Sequence, residues 1–261
     1  MMSEPSPPCV RARVIRHAAG SGIGAHCHDW GQLGVVLDGT MTVFGQDGWW
    51  LAPPGRGVWV PPGVSHEARY SESSALVQVL LDPALVPHIA GGFRGGCMTV
   101  AVSPLLRELA LETARRGAAS SGPADAPLDL MARLMIDQMR QGRDGPALFV
   151  PHGRDRRLRR AIDRLRASPG RDVGIDELAR DSGCSGRTLA RLFVAETGMT
   201  FGRWRDHLRI VLAVDRLTRG QPIIQVALDL GYQSASSFTT MFTRLLGQPP
   251  GRYMRGLKDG G

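Results

Sequence analysis

Two different hydrophobic patterns divide the chain. Up to roughly residue 100, short alternating apolar segments such as LGVVLDGTMTVFG and GVWVPP are punctuated by glycine and proline, which predicts the strands of a small β-barrel. After this point the apolar positions take helical spacing. SPLLRELALETARRG and DAPLDLMARLMIDQMRQG predict two helices, and QGRDGPALFVPHGRDR indicates a linker. RRLRRAIDRLRAS then predicts a helix with its leucines, alanine and isoleucine facing inward and its arginines facing solvent.

The C-terminal part contains an internal repeat. A shift of 49 residues places SGRTLARLFVAETGMTFGRW, from Ser185, on SASSFTTMFTRLLGQPPGRY, from Ser234. Each copy predicts a helix, a tight turn and a second helix, because Gly183 and Gly231 suit the left-handed end of a helix and the two serines suit N-caps. Two ordinary helical hairpins are a poor explanation for the repeat, which indicates two helix-turn-helix motifs joined by a longer helix in FGRWRDHLRIVLAVDRLTRG.

Charge separates the same two parts. Residues 151–261 carry 20 basic against 11 acidic side chains, whereas residues 1–150 carry 12 against 13. All the excess positive charge of this +8 chain therefore lies in the C-terminal part, which favours a polyanion-binding module attached to a neutral one.

Composition and apolar runs also limit location and redox chemistry. No apolar run approaches a membrane span, and the N-terminus lacks a signal-peptide core, so we expect a cytoplasmic protein without membrane contact. The four cysteines are widely spaced and form no CxxC pair, which argues against a disulfide scaffold or a zinc knuckle.

The repeat region, residues 157–256, resembles the DNA-binding domain of the AraC/XylS family of bacterial transcription regulators. The resemblance implies seven helices and two recognition helices that could enter successive major grooves, roughly 34 Å apart. The side chains expected at DNA are Ser185, Arg187, Thr188 and Arg191 in the first copy, and Ser234, Ser236, Ser237, Thr239, Thr240 and Arg244 in the second.

The two recognition helices differ in the chemistry that they offer. Arg187 and Arg191 can pair bidentately with guanine, although a phosphate contact or a solvated arginine is the alternative for each. The short hydroxyl side chains of the second helix favour positioning on the phosphate backbone.

Histidines in the first half carry candidate metal chemistry. In AHCHDWGQL, His26 and His28 share one face of a strand because side chains alternate. If His66 arrives from a neighbouring strand, three imidazoles and the Gln32 amide could surround one divalent Zn, Fe, Ni or Cu ion. The neutral amide of Gln32 in place of a carboxylate removes a negative charge that would offset the metal, which predicts weaker metal binding. The alternative is a metal-free pocket, or histidines that only make hydrogen bonds within the barrel.

These segments resemble the two motifs of a cupin-like effector domain over roughly residues 10–100. Its matching positions are Gly20, His26, His28, Gln32 and Gly39 in the first motif, and Gly55, Pro61, Gly63 and His66 in the second. Gln32 stands where that motif usually has glutamate, and Tyr70 stands where asparagine is typical. Trp30 and Trp59 are candidates for the apolar wall of an effector pocket, with burial in the core as the alternative.

The patterns together predict an α+β multidomain protein. We expect a cupin-like β-barrel with dimerisation helices at residues 1–140, a linker at 141–156, and an all-α domain with two helix-turn-helix motifs at 157–256. The expected function is that of a regulator and not an enzyme, with promoter DNA, a small-molecule or metal effector, RNA polymerase and a second copy of the chain as partners. The alternative is a cupin-type metalloenzyme, a dioxygenase or isomerase, fused to a DNA-binding domain. Three histidine ligands would leave a catalytic position open, but no motif assigns a separate acid or base.

Overall fold

The computed structural model describes residues 9–85, 96–117, 126–142 and 148–259. The chain divides into two compact units. One comprises Met1–Gly45, Trp50–Ala147 and Leu257–Gly261, and the other comprises Gln46–Trp49 and Leu148–Gly256. Among the described residues, no helix is long and apolar enough to cross a membrane.

The N-terminal part consists of two antiparallel sheets, as the alternating pattern predicts. Its strands are β1 (Val10–His17), β2 (Gly22–His26), β3 (Gly31–Asp38), β4 (Met41–Gly45), β5 (Gly48–Ala52), β6 (Arg56–Val60), β7 (His66–Arg69), β8 (Ser74–Leu81) and β9 (Met98–Ala101). One sheet has the order β1-β8-β3-β6-β9, and in the other β5, β4, β7 and β2 lie side by side. The pairing of β2 with β7 sets His26 opposite His66.

Two helices cover one face of the first sheet. They are α1 (Pro104–Gly117) and α2 (Ala126–Gln141), close to the predicted bounds. Leu33, Val77 and Val79 point from the strands toward Leu106 and Met135 of the helices, and all five are buried in one core. Apolar packing against α1 and α2 therefore stabilises the sheet that contains β3 and β8.

The C-terminal unit has seven helices among the described residues, as the resemblance implies. After strand β10 (Phe149–Pro151) they are α3 (Arg156–Ala167), α4 (Ile175–Ser182), α5 (Gly186–Thr197), α6 (Phe201–Thr218), α7 (Ile223–Asp229), α8 (Ala235–Leu246) and α9 (Pro250–Asp259). Helices α4 and α5 form the first helix-turn-helix motif, α7 and α8 form the second, and α6 is the long helix between them.

The repeat is visible in the turns and in the core. Gly183 and Gly231 have φ angles of 74° and 80°, the left-handed conformation that each turn requires. Two aromatic pairs also repeat. The rings of Phe193 and Trp204 are 5.7 Å apart, and those of their counterparts 49 positions later, Phe242 and Tyr253, are 5.5 Å apart. The two motifs are therefore built on equivalent cores.

Part of the predicted linker is ordered. Residues 143–147 lie outside the described residues, but Leu148 and Val150 are buried, and Pro151 accepts a hydrogen bond from Trp204 Nε1 at 3.0 Å. Glu196, on α5, accepts hydrogen bonds from the backbone N–H groups of residues 154 and 155, just before α3. The segment from residue 148 onward is thus bound to helices α5 and α6.

Candidate metal centre and nucleic-acid interface

Three histidines converge between β2 and β7. His26 ends β2, His66 begins β7, and His28 lies two residues beyond β2. Their candidate ligand atoms all lie within 4.8 Å of one another. The ring centroid of His66 is 4.3 Å from that of His26 and 5.0 Å from that of His28. The structure therefore brings together the three imidazoles that the sequence singles out.

Backbone carbonyls fix the tautomer of each ring. In each histidine the Nδ1 atom lies within hydrogen-bond distance of a main-chain oxygen. These oxygens belong to Gly24, Trp30 and Val64, at 2.9, 2.5 and 3.1 Å from His26, His28 and His66 respectively. A carbonyl can only accept, so each neutral ring carries its proton on Nδ1 and presents the lone pair of Nε2. Metal-binding histidines are commonly oriented in this way.

Two of the three Nε2 atoms in the cluster are buried without a partner within the described part of the chain. Those of His28 and His66 are buried and have no hydrogen-bond partner among the described residues. Burial lowers the pKa of His66, and the neighbouring His26 and His28 lower it further, while the hydrogen bond to Val64 acts in the opposite direction. The neutral form that can bind a cation is therefore favoured at His66.

Gln32, the fourth ligand that the sequence suggests, already has a hydrogen-bond partner. It lies on β3, in the other sheet, where its Oε1 accepts a hydrogen bond from Gln78 Nε2 at 2.8 Å. Gln78 Oε1 in turn accepts from Arg13 Nε at 2.8 Å. Gln32 would have to give up this bond before its oxygen could act as a fourth ligand. Gln78 and Arg13 carry no motif, so sequence reasoning had no means of finding this chain of polar groups.

The two candidate tryptophans lie in different surroundings. Trp59 is 1% exposed and belongs to the core between the first sheet and its helices, which corrects the expectation that it lines a pocket beside the histidines. The close approach of its indole depends on Gly31, where a Cβ would lie 2.1 Å from the ring. Trp30 is half-buried, with the Arg11 guanidinium 4.8 Å from its ring centroid, and it meets the cluster through its carbonyl oxygen.

All the side chains expected at DNA lie at or within the second helix of each motif. They are Ser185, Arg187, Thr188 and Arg191 at α5, and Ser234, Ser236, Ser237, Thr239, Thr240 and Arg244 at α8. Arg187 and Arg191 are exposed, and within the described ranges neither has a hydrogen bond or an ion pair. Their guanidinium groups are therefore available to a ligand without the loss of an internal contact.

Five of the seven hydroxyl groups expected at DNA already have local partners. Ser185 caps α5 by accepting from the N–H of Thr188, and Ser234 and Ser237 form a reciprocal capping box at the start of α8. Thr240 Oγ1 donates to the carbonyl one turn earlier, at 3.0 Å. The hydroxyl protons of Ser237 and Thr240 are already donated to main-chain carbonyls, so these two groups would have to break those bonds before donating to a phosphate.

Arg244 is the exception among the candidate arginines. Its Nη2 lies 3.3 Å from Asp206 Oδ2 on α6, in a largely exposed ion pair. A DNA contact through Arg244 would compete with this pair, so the two recognition helices present different basic chemistry.

Two family models match the chain, the AraC-like ligand binding domain over residues 9–162 and a helix-turn-helix domain over residues 178–256. The HTH-type transcriptional regulator NimR of Escherichia coli is 32% identical over 229 residues, which are 88% of this chain and 81% of NimR. RipA of Corynebacterium diphtheriae is 34% identical over 128 residues, 47% of this chain but only 38% of RipA. The solved structure of ToxT from Vibrio cholerae covers 97% of both chains at 12% identity, but its TM-score of 0.39 is too low for a functional comparison.

Proposed function

The chain belongs to the AraC family of DNA-binding transcription regulators, and from this premise we propose that it senses a divalent metal ion, alone or with a small molecule bound to it, at the histidine cluster. Its relatives are transcription regulators and not enzymes, which confirms the expected regulator over the metalloenzyme alternative. The effector would change the affinity for promoter DNA by binding one state of the protein better than another.

The convergence of the imidazole rings of His26, His28 and His66 is the observation that carries this proposal. Imidazole nitrogens suit Zn, Fe, Ni or Cu, and the tautomer that the backbone imposes leaves each Nε2 free to bind. A bound cation would supply positive charge and an open coordination position for an electron-donating atom of an effector. The three histidines would hold it, and Gln32 stays with Gln78 in this arrangement.

Promoter recognition is proposed to differ between the two motifs. Arg187 and Arg191, exposed and unpaired within the described ranges, would read guanines in one major groove. The hydroxyl-rich start of α8 would position the second motif on phosphates, roughly 34 Å along the duplex. A protein bound in this way beside a promoter would act on RNA polymerase there.

A second copy of the chain is the proposed partner of α2. Leu130 and Leu134 are one turn apart on this helix and are 59% and 40% exposed. Next to them, Arg133 forms an ion pair with Asp129 at 2.8 Å, which gives the apolar strip a charged border. A strip of this kind can pair with itself across a twofold axis, the commonest symmetry of protein dimers.

Elemental analysis of the full chain, purified without a metal-affinity tag, tests the proposed metal. We expect a stoichiometric divalent metal in the wild type, little in His66→Ala, and the wild-type amount in His17→Ala, because His17 stacks on Tyr70 outside the cluster. A footprint on the DNA upstream of its own gene should change on chelation. A metal-free wild type with an unchanged footprint would contradict the proposal and favour an organic effector. Loss of all DNA binding in His66→Ala would make this histidine structural.

A further inference from the structure

The loop before the first helix-turn-helix motif meets the turn of the second at a backbone junction. The loop after α3 contains Gly170, and the turn after α7 contains Gly231. A Cβ at Gly170 would lie 2.2 Å from the carbonyl oxygen of Asp229, and a Cβ at Gly231 would lie 2.2 Å from the carbonyl oxygen of Gly170. Neither position has room for a side chain. The loop that leads into the first motif is thus in direct contact with the turn of the second.

One buried side chain of the long helix α6 reaches both sides of this junction. Arg209 is 6% exposed, and its Nε donates to the carbonyl oxygen of Pro169 at 2.8 Å. Its Nη2 lies 3.1 Å from where a Cβ of Gly231 would be, and its guanidinium carbon is 5.7 Å from the ring centroid of Tyr232. Arg209 therefore contacts the leading loop of the first motif and the turn of the second at the same time.

Stability alone does not explain an arginine at position 209. Nη2 of Arg209 is buried and has no hydrogen-bond partner among the described residues, and the Tyr232 hydroxyl is in the same condition. Burying such groups costs free energy that an apolar side chain of similar size would not cost. A guanidinium, however, holds its neighbours through directional hydrogen bonds and planar stacking, which an apolar contact does not provide.

We propose that Arg209 is a positioning residue that locks α5 and α8 at one separation and one rotation, so that the protein selects DNA by the distance between two half-sites. The inference rests on the proposed function, in which both recognition helices contact DNA. One inserted base pair moves the second half-site by about 3.4 Å and turns it by about 34°. A locked pair of motifs cannot follow this displacement, whereas a loosened pair can.

The test uses the full chain and duplexes that the wild type selects from a random-sequence library. Base pairs are then inserted, one or two at a time, between the two protected half-sites, and the dissociation constant is measured for each duplex. The variants are Arg209→Met and Gly170→Ala. The added methyl group of Gly170→Ala forces the junction apart but leaves the buried charge of Arg209 in place. The matched controls are Arg219→Met, at the exposed end of α6, and Gly174→Ala, where a Cβ meets nothing within 4 Å.

For the wild type and both controls, we expect each insertion to weaken binding by about tenfold or more, the loss expected when a half-site contact is broken. The two variants should bind the original duplex about tenfold more weakly but lose less than about threefold on insertion. A folded Arg209→Met protein that keeps the steep dependence on spacing would overturn the inference. If Arg209→Met does not fold, the spacing profile of Gly170→Ala decides. A wild type that selects a single half-site would instead overturn the proposed two-helix recognition, and this inference with it.

Discussion

The Arg187→Ala substitution tests whether the first recognition helix contacts bases. The side chain is exposed and has no hydrogen bond or ion pair within the described residues, so its removal should change the free energy of unfolding by less than about 0.5 kcal/mol. A bidentate contact with guanine is worth about 1–3 kcal/mol of discrimination. The dissociation constant for a selected duplex should therefore rise by roughly 5- to 150-fold. The same reasoning applies to Arg191, one turn later on α5.

The assay compares two duplexes over a series of salt concentrations. One is the selected sequence, and the other is a random sequence of equal length. Loss of a base contact should weaken binding to the selected duplex and leave the random duplex nearly unchanged. Loss of a phosphate contact should weaken both equally and lower the log–log salt slope by about 0.9. Arg115→Ala serves as the control, because its side chain is 74% exposed on α1 and belongs to neither helix-turn-helix motif. An equal loss on both duplexes would refute base reading by Arg187.

Three further predictions concern assembly and stability. Leu130→Glu together with Leu134→Glu should convert a dimer into a monomer in sedimentation experiments and leave the chain folded, because both side chains are exposed in the single chain; a wild type that is already monomeric would contradict the proposed dimer. Burial lowers the pKa of His207 in the folded chain. The unfolded chain therefore takes up a proton at this residue at a higher pH than the folded chain does. The free energy of unfolding should then fall as the pH drops from about 6.5 through the folded-state pKa. Urea unfolding at pH 7 and pH 5 measures this, and His207→Asn should show a smaller difference in stability between the two pH values than the wild type; an equal difference would contradict the role of His207. Glu196→Ala removes the acceptor for two backbone N–H groups before α3 and should cost about 1 kcal/mol in urea unfolding, against no change for the exposed Glu108→Ala.

The helix-turn-helix motifs were predictable because their signals are local. Gly183 and Ser185 stand next to each other at the turn, and the positive φ and the N-cap follow from the residue types alone. The shift of 49 residues then doubles the evidence, since the same aromatic positions return in the second copy. His26 and His28 also share a face through strand alternation, but the approach of His66 depends on the register of β2 with β7, which only the cupin resemblance supplied.

The surroundings of Trp59 and Gln32 could not be predicted from the sequence pattern. Strand β3, GQLGVVLD, has buried residues on both faces although the helices cover only one face of its sheet, so alternation could not show which side Trp59 of the adjacent β6 would face. The partner of Gln32 is 46 residues away in sequence, and a hydrogen bond over that distance has no local signal. The Arg209 junction was missed for the same reason, since Pro169 is 40 residues before it.

The segment that enters the DNA-binding unit bears on how a signal could reach DNA. A flexible linker would absorb a displacement, but the residues from 149 to 155 are held by directional hydrogen bonds from Trp204 and His207 on α6 and to Glu196 on α5. A displacement of this segment therefore acts on the recognition helix that carries Arg187 and on the long helix that carries Arg209. If Arg209 locks the two motifs, such a displacement cannot move one recognition helix alone. The response to an effector would then be a change in the placement of the whole DNA-binding unit on its site, and not a change in the spacing that the unit accepts.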